Sequence, residues 1–209
     1  MPRYNTLDIV SAAVAAFRIN GNQIIRESAT QTPNRKIVDD LLANGGTTND
    51  DVVKAVSIIE ELKQRQTLAA LTGKQLSDFQ LDIIVLLYKD TVPSKNVGIL
   101  TWVPKLHADL LKQEDILHQF AVLSFGSKAI GAKGATVEID FVTVTERYNK
   151  EFGCWRYYGH DTLGNLVGFL IKNRLTTSSL KIKGRIKNIA VSKFNGGKTT
   201  YLNYVKELK

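Results

Sequence analysis

The stretch Lys193-Phe-Asn-Gly-Gly-Lys-Thr-Thr-Tyr201, KFNGGKTTY, decides the fold. It holds Gly-Lys-Thr, the last part of a phosphate-cradling loop, and also Asn-Gly, a favoured hairpin turn. The phosphate loop requires another glycine five positions before Gly197, and that position is Ser192. It also requires a helix after Thr199, because the helix N-terminus supplies the N–H groups that hold the phosphate. The residues that follow, Thr200-Tyr-Leu-Asn-Tyr-Val-Lys206, are strand formers. Asn195-Gly196 therefore reads as a turn between two strands, since both residues tolerate positive φ.

Working outward from this hairpin, the same texture extends back to Thr136. Alternation and closely spaced turn signals predict strands at 136–147, 154–160, 166–171, 179–192 and 199–207. The turns fall at Asn149–Gly153, Asp161–Asn165, Asn173–Ser178 and Asn195–Gly197. Five short strands with no helix between them suggest a small closed barrel. The glycine-rich FGSKAIGAKGA at 125–135 marks the change of texture.

Before that point the periodicity is helical. Asp8 is a candidate cap for a helix through Ile9, Val10, Ala13, Val14 and Phe17. Residues 22–35 read as an irregular connection, and Ile37, Val38, Leu41 and Leu42 as a second helix ending at the glycines 45–46. TTNDD at 47–51 opens a third, to about Leu71, and Ser77-Asp78 a fourth. VGILTWVP at 97–104 reads as a short strand, and residues 105–124 as a last helix. The expected fold is α+β: a mainly helical region, 1–125, and a five-stranded OB-like β-barrel, 126–209.

Charge sharpens the division. Residues 127–209 carry 15 Lys/Arg against 6 Asp/Glu, whereas residues 1–126 carry 13 against 14. The whole cationic excess lies in the barrel region, an electrostatic footprint for a polyanion. No apolar run reaches the ~20 residues that span a bilayer, and MPRYNTLDIV lacks the pattern of a secretory signal. The single cysteine, Cys154, excludes an internal disulfide and a cysteine-based zinc cage. A reducing, cytoplasmic setting is expected (the host cytoplasm, for a viral chain), with no membrane association.

Leu180-Lys-Ile-Lys-Gly-Arg-Ile-Lys187 is the most informative strand. Alternation places Lys181, Lys183, Arg185 and Lys187 on one face, about 7 Å apart, and Leu180, Ile182, Gly184 and Ile186 on the other. That cation spacing resembles the phosphate repeat of an extended single strand. The competing reading is a solvated face that resists edge pairing. Lys172, Arg174, Lys193 and Lys198 would extend the track.

Residues 127–209 also hold 10 of the 17 aromatic residues, and exposed rings can stack bases without reading sequence. In Cys154-Trp-Arg-Tyr-Tyr-Gly-His160, Trp155 and Tyr157 should point inward, because an arginine seldom belongs in a small core. Arg156 and Tyr158 then point outward, and with Tyr201 they are the expected stacking surfaces. Phe194, beside the turn, is a further candidate for exposure.

Signals for chemistry are weak. His107 and His118 are too far apart along one helix to share an ion, and His160 has no second histidine near it. Cys154 has no histidine nearby to activate it. Glu138 and Asp140 share a face of the first barrel strand, an arrangement that holds Mg²⁺ in some nucleases. No E-x-K partner on an adjoining strand accompanies them. No catalytic residue, metal site or cofactor is expected.

The glycine-rich FGSKAIGAKG, the long TVEIDFVTVTERY, the hairpin WRYYGHDTLGNLVGFLI, the basic LKIKGRIKNIAVSKF and the closing NGGKTTYLNYVKEL form a series. Together, over roughly 125–209, they resemble viral and replication-associated single-stranded-nucleic-acid-binding proteins with an oligonucleotide-binding barrel. The resemblance implies binding along strand faces and the loops Asn149–Gly153 and Asn195–Lys198. It implies a non-enzymatic protein that binds single-stranded DNA with little sequence preference, in replication, recombination or repair. An RNA- or tRNA-binding module and a metal-dependent nuclease using Glu138 and Asp140 are the alternatives. Many replicative single-strand binders end in an acidic tail that recruits partners, whereas this chain ends VKELK. Partner contact or self-association is expected instead through the helical region.

Overall fold

The structure is a computed structural model that describes residues 2–73, 75–192 and 195–208. The chain divides into two compact units, Met1–Lys112 and Gln113–Lys209.

The first unit is built around a helix that is apolar on nearly every side. Helix α1 (Thr6–Ile19) buries Ile9, Val10, Ala12, Ala13, Ala15 and Ala16. Such a helix must be surrounded, and its alanines let neighbours approach closely. Around it pack α2 (Asn34–Asn44), α3 (Asn49–Thr72), α4 (Asp78–Leu87), α5 (Val97–Leu100) and the first residues of α6 (Val103–Gly126). The cap of α1 is Asn5, whose Oδ1 accepts from Leu7 N at 2.8 Å; Asp8 lies inside the first turn. Asn5 ends a strand, β1 (Arg3–Asn5), that pairs antiparallel with β2 (Thr91–Pro93).

Residues 97–100 and 103–104 are helical, joined by a turn at Thr101–Trp102, rather than extended. Val97, Leu100 and Val103 are fully buried at a spacing of three, and so short an apolar run carries no period that separates strand from buried helix. The TTNDD and Ser77 signals act as caps. Thr48 and Asp51 form one capping box, and Ser77 and Gln80 another.

Asp51 also accepts from Arg18 Nε at 3.1 Å and Nη2 at 2.9 Å, tying α3 to α1. These hydrogen bonds, Arg18 first and then Thr48, hold its carboxyl at about 2 despite its burial. The folded pKa thus lies below the ordinary value of 3.8. The resulting stability is present above about pH 4 and is lost as pH falls toward 2. It amounts to about 2 kcal/mol at neutral pH. Asp51→Asn is expected to destabilise the helical unit by about that amount at pH 7 and by much less at pH 2.5. Trp102 fluorescence in a Trp155→Phe background reads the unfolding, and an equal loss at both pH values would remove the ion pair as the cause.

The second unit is a closed barrel. Its strands are β3 (Thr136–Asn149), β4 (Cys154–His160), β5 (Leu166–Ile171), β6 (Ser179–Val191) and β7 (Lys198–Glu207). Around the barrel they run β3-β4-β5-β7-β6, with β6 pairing back to β3. All pairs are antiparallel except β5 with β7. A closed five-stranded barrel is compatible with an OB-like fold, and with the N-terminal helices it makes the chain α+β.

The interior holds Ile139, Phe141, Tyr157, Val167, Phe169, Leu175, Ile182, Ile186, Leu202 and Val205. Phe169 stacks on Tyr157 at 5.5 Å and meets Phe141 edge-on at 5.0 Å. The Tyr157 hydroxyl accepts from Leu175 N at 3.0 Å, so the one polar atom of that ring is satisfied inside the barrel.

The glycine-rich lead-in closes one side. Ser127 Oγ accepts from Leu166 N at 2.7 Å, Lys128 N donates to Asn165 Oδ1 at 2.8 Å, and Gly134 N donates to Ile186 O at 2.8 Å. The Asp161–Asn165 turn is held by Asp161 Oδ1, which accepts from Leu163 N and Asn165 N. Within this unit Ile116, Phe120, Leu123 and Ser124 of α6 are half-buried at helical spacing, so one face of the helix packs on the barrel.

Candidate nucleic-acid interface

The Gly-Lys-Thr of residues 197–199 serves the turn. Gly196 has φ +72°, and a Cβ on Gly197 would lie 1.6 Å from the carbonyl oxygen of Ser124. Lys198 N donates to Ser127 O at 2.9 Å, and Lys198 and Thr199 already belong to β7. Gly196 answers to the backbone conformation of the turn and Gly197 to packing against Ser124, rather than to a phosphate. Lys193 and Phe194 lie outside the described residues.

On β6 the alternation holds. Ile182, Gly184 and Ile186 are buried, while Lys181, Lys183, Arg185 and Lys187 are all exposed. The register with β3 then adds what no single strand reveals: Asp140 stands opposite Lys181, and Glu138 opposite Lys183. Lys183 Nζ donates to Glu138 Oε1 at 2.9 Å, and this contact holds the Glu138 carboxyl below its ordinary range. Of the two acids that suggested a metal site, Glu138 is thus paired with the lysine across from it, whereas Asp140 only faces Lys181 in the register. Arg185 Nε donates to Gly134 O at 3.0 Å, which ties the guanidinium to the glycine-rich lead-in. Lys187 has no ion pair among the described residues.

Lys187 is set apart by a bulge. Ile186 pairs with Leu202 and Asn188 with Tyr201, leaving Lys187 as the extra residue. A bulge bends the strand and re-aims its side chains, and here Lys187 and Asn188 are both exposed beside Tyr201. The register carries this position across the barrel surface. Asn188 pairs with Tyr201, Tyr201 with Gly168, Gly168 with Tyr158, and Tyr158 with Thr145. Cross-strand partners share a face, so these residues form one outward row.

Gly168 is the floor of that row. A Cβ there would stand 2.8 Å from the Tyr158 ring and 3.0 Å from the Tyr201 ring. The two rings meet edge-on at 6.2 Å, and Phe120 of α6 meets Tyr158 at 6.0 Å. Burial first, and then the neighbouring Tyr158 hydroxyl, raise the Tyr201 phenol above its ordinary value. Tyr158 and Tyr201 are therefore half-buried surfaces held in place, not free posts.

Arg156 is exposed on β4, directly opposite the exposed Arg147 on β3. Like charges in that relation repel, and neither arginine has an ion pair among the described residues. Trp155 and Tyr157 turn inward as their neighbour Arg156 turns out.

The remaining cations divide. Lys172 and Lys198 are exposed. Arg174 is engaged: it pairs with Glu146 and lies 5.0 Å over the Trp155 ring. The structure thus brings Lys181, Lys183, Arg185 and Lys187 into one stripe and joins it to Tyr201 and Tyr158. It leaves Arg174 committed elsewhere.

Two features escaped the sequence reading. Arg147 emerges only from the β3–β4 register. The Lys187 bulge does have a signal, because Ile182, Gly184 and Ile186 keep a period of two and the next inward residue, Ile189, comes after three. Comparison of the chain with protein-family models, with curated proteins and with solved structures yields no match.

Proposed function

We propose that the barrel binds single-stranded nucleic acid, with DNA as the first ligand to test, without catalysing a reaction and with little dependence on sequence. One observation carries the reading: the exposed stripe Lys181, Lys183, Arg185 and Lys187 runs without a break into the row Asn188, Tyr201, Gly168 and Tyr158. Cations spaced about 7 Å apart along a strand suit successive phosphates of an extended chain. The row that follows crosses three strand spacings, about 14 Å, and supplies ring surface instead of charge. Arg156 and Arg147 supply cations again beyond Tyr158. Alternating charge and ring favours a strand whose bases are unstacked, since a duplex hides its base faces. Phosphate contacts and base–ring stacking carry little sequence information. Such binding suits a role in DNA replication, recombination or repair.

The test is a titration of labelled single- and double-stranded DNA and RNA oligomers at two salt concentrations. Single-stranded DNA should bind most tightly, with log K falling by about 0.7 per phosphate contact for each tenfold rise in salt. Tighter binding of RNA would transfer the reading to an RNA module, because the 2′-hydroxyl is what differs. Failure to bind any oligomer at low salt would end it.

A further inference from the structure

A second bulge lies on β7. Lys206 pairs with Lys183 and Asn203 with Arg185, so two residues, Tyr204 and Val205, face the single Gly184. Val205 fills the core at 8% exposure, and a Cβ on Gly184 would meet its Cγ2 at 3.2 Å. Tyr204 takes the left-handed conformation, φ +56°, and is 80% exposed. Glycine normally occupies such a bulge position, because a bulky side chain there is strained. Among the described residues the Tyr204 ring itself makes no aromatic or cation contact that would offset that strain. A tyrosine kept where a glycine would be more stable points to a use for its ring.

The surroundings specify the use. Lys206 and Lys183 stand directly opposite one another on adjacent strands, a repulsive arrangement that a bound anion relieves. Lys183 already shares itself with Glu138, whereas Lys206 has no ion pair among the described residues. Arg185 is oriented by Gly134 O and lies beside Asn203. An exposed planar ring flanked by Lys206, Lys183 and Arg185 fits one nucleotide: the base on the ring, its phosphates on the cations.

Resting on the single-strand reading above, we infer that Tyr204 is a base-stacking subsite, separate from the Tyr158–Tyr201 row and serving the cation stripe of β6. Its bulge turns the exposed ring outward at the level of Gly184, between the positions of Lys183 and Arg185 on β6. The break in period has a sequence signal, since the inward residues Leu202 and Val205 are three apart.

The experiment compares Tyr204→Gly with the unaltered protein on two ligands: an ordinary single-stranded DNA oligomer and a base-free deoxyribose-phosphate oligomer of equal length. The melting temperature of Tyr204→Gly should be unchanged or higher, because glycine adopts this φ without strain. Its affinity for the ordinary oligomer should fall about tenfold, and its affinity for the base-free oligomer should stay the same. Tyr204→Phe should bind both ligands as the unaltered protein does, and Tyr204→Asn, which also tolerates the bulge, should repeat the glycine result. Equal weakening toward both ligands would assign Tyr204 a structural role and overturn the subsite. So would a Tyr204→Gly protein that binds the ordinary oligomer undiminished, while leaving the single-strand reading in place. An unaltered protein that binds neither oligomer would overturn both.

Discussion

Replacing Lys181, Lys183, Arg185 and Lys187 together by alanine is expected to lower affinity for single-stranded DNA by about two to three orders of magnitude at 0.1 M salt. Counterion release sets this magnitude. Four phosphate contacts give a salt slope near −2.8, so a fourfold rise in salt costs about 50-fold in affinity, and removing the contacts removes that slope. The fold should survive, because all four side chains are exposed and point away from Ile182 and Ile186. Removing four like charges from one strand face also relieves repulsion.

The acids across the strand decide how the loss divides. Lys183 must exchange Glu138 for a phosphate, and Lys181 stands opposite Asp140, whereas Lys187 has no such competitor. Lys187→Ala should therefore cost more affinity than Lys181→Ala or Lys183→Ala. Glu138→Gln with Asp140→Asn should tighten binding and steepen the salt slope, since Lys183 is then released and the negative charge opposite Lys181 is removed. A nuclease built on those acids would instead lose Mg²⁺-dependent cleavage in the same variant. A quadruple alanine protein that binds single strands with the original slope would move the phosphate path off β6 altogether.

How much of this was legible beforehand depends on whether a feature is local. The five barrel strands follow from turns such as Asn149–Gly153 and Asn195–Gly197 and from period-two runs, both properties of adjacent residues. The outward set on β6 follows from the same period. Pairing partners do not. Nothing near residue 138 says that Glu138 will face Lys183, 45 positions away, and nothing near Asn5 says that it ends a strand paired with Thr91–Pro93. The cap of α1 falls at Asn5 rather than Asp8 for that reason. Bulges are an intermediate case. Spacings of three at Ile186–Ile189 and Leu202–Val205 are visible in the sequence, but they signal a bulge only once the strands on either side are known to share one ladder. Asn188, exposed beside Lys187, and Tyr204, which its bulge turns outward, therefore acquire their places from the structure.

The largest stability effect is expected at Gly159. A Cβ there would lie 1.9 Å from Val142 O and 2.7 Å from Cζ of Phe141. The first contact is with backbone and the second with a fully buried core ring, so neither can retreat cheaply. Gly159 also borders the irregularity of β3 between Thr143 and Thr145, whose partners on β4 are Gly159 and Tyr158. Overpacking a core ordinarily costs about 1–3 kcal/mol, and a clash with a main-chain oxygen adds displacement of the strand. Gly159→Ala should therefore cost more than about 3 kcal/mol and lower the barrel's melting temperature by about 12 °C or more. Trp155 fluorescence in a Trp102→Phe background reads this unit alone. Gly126→Ala is the control: a Cβ there meets nothing within 4 Å, and its melting temperature should not change appreciably. An alanine tolerated at position 159 would mean that β3 and β4 do not approach as barrel closure requires. The outward row from Thr145 through Tyr158 and Gly168 to Tyr201 and Asn188 depends on that pairing, and the surface offered to a nucleic acid would have to be drawn again.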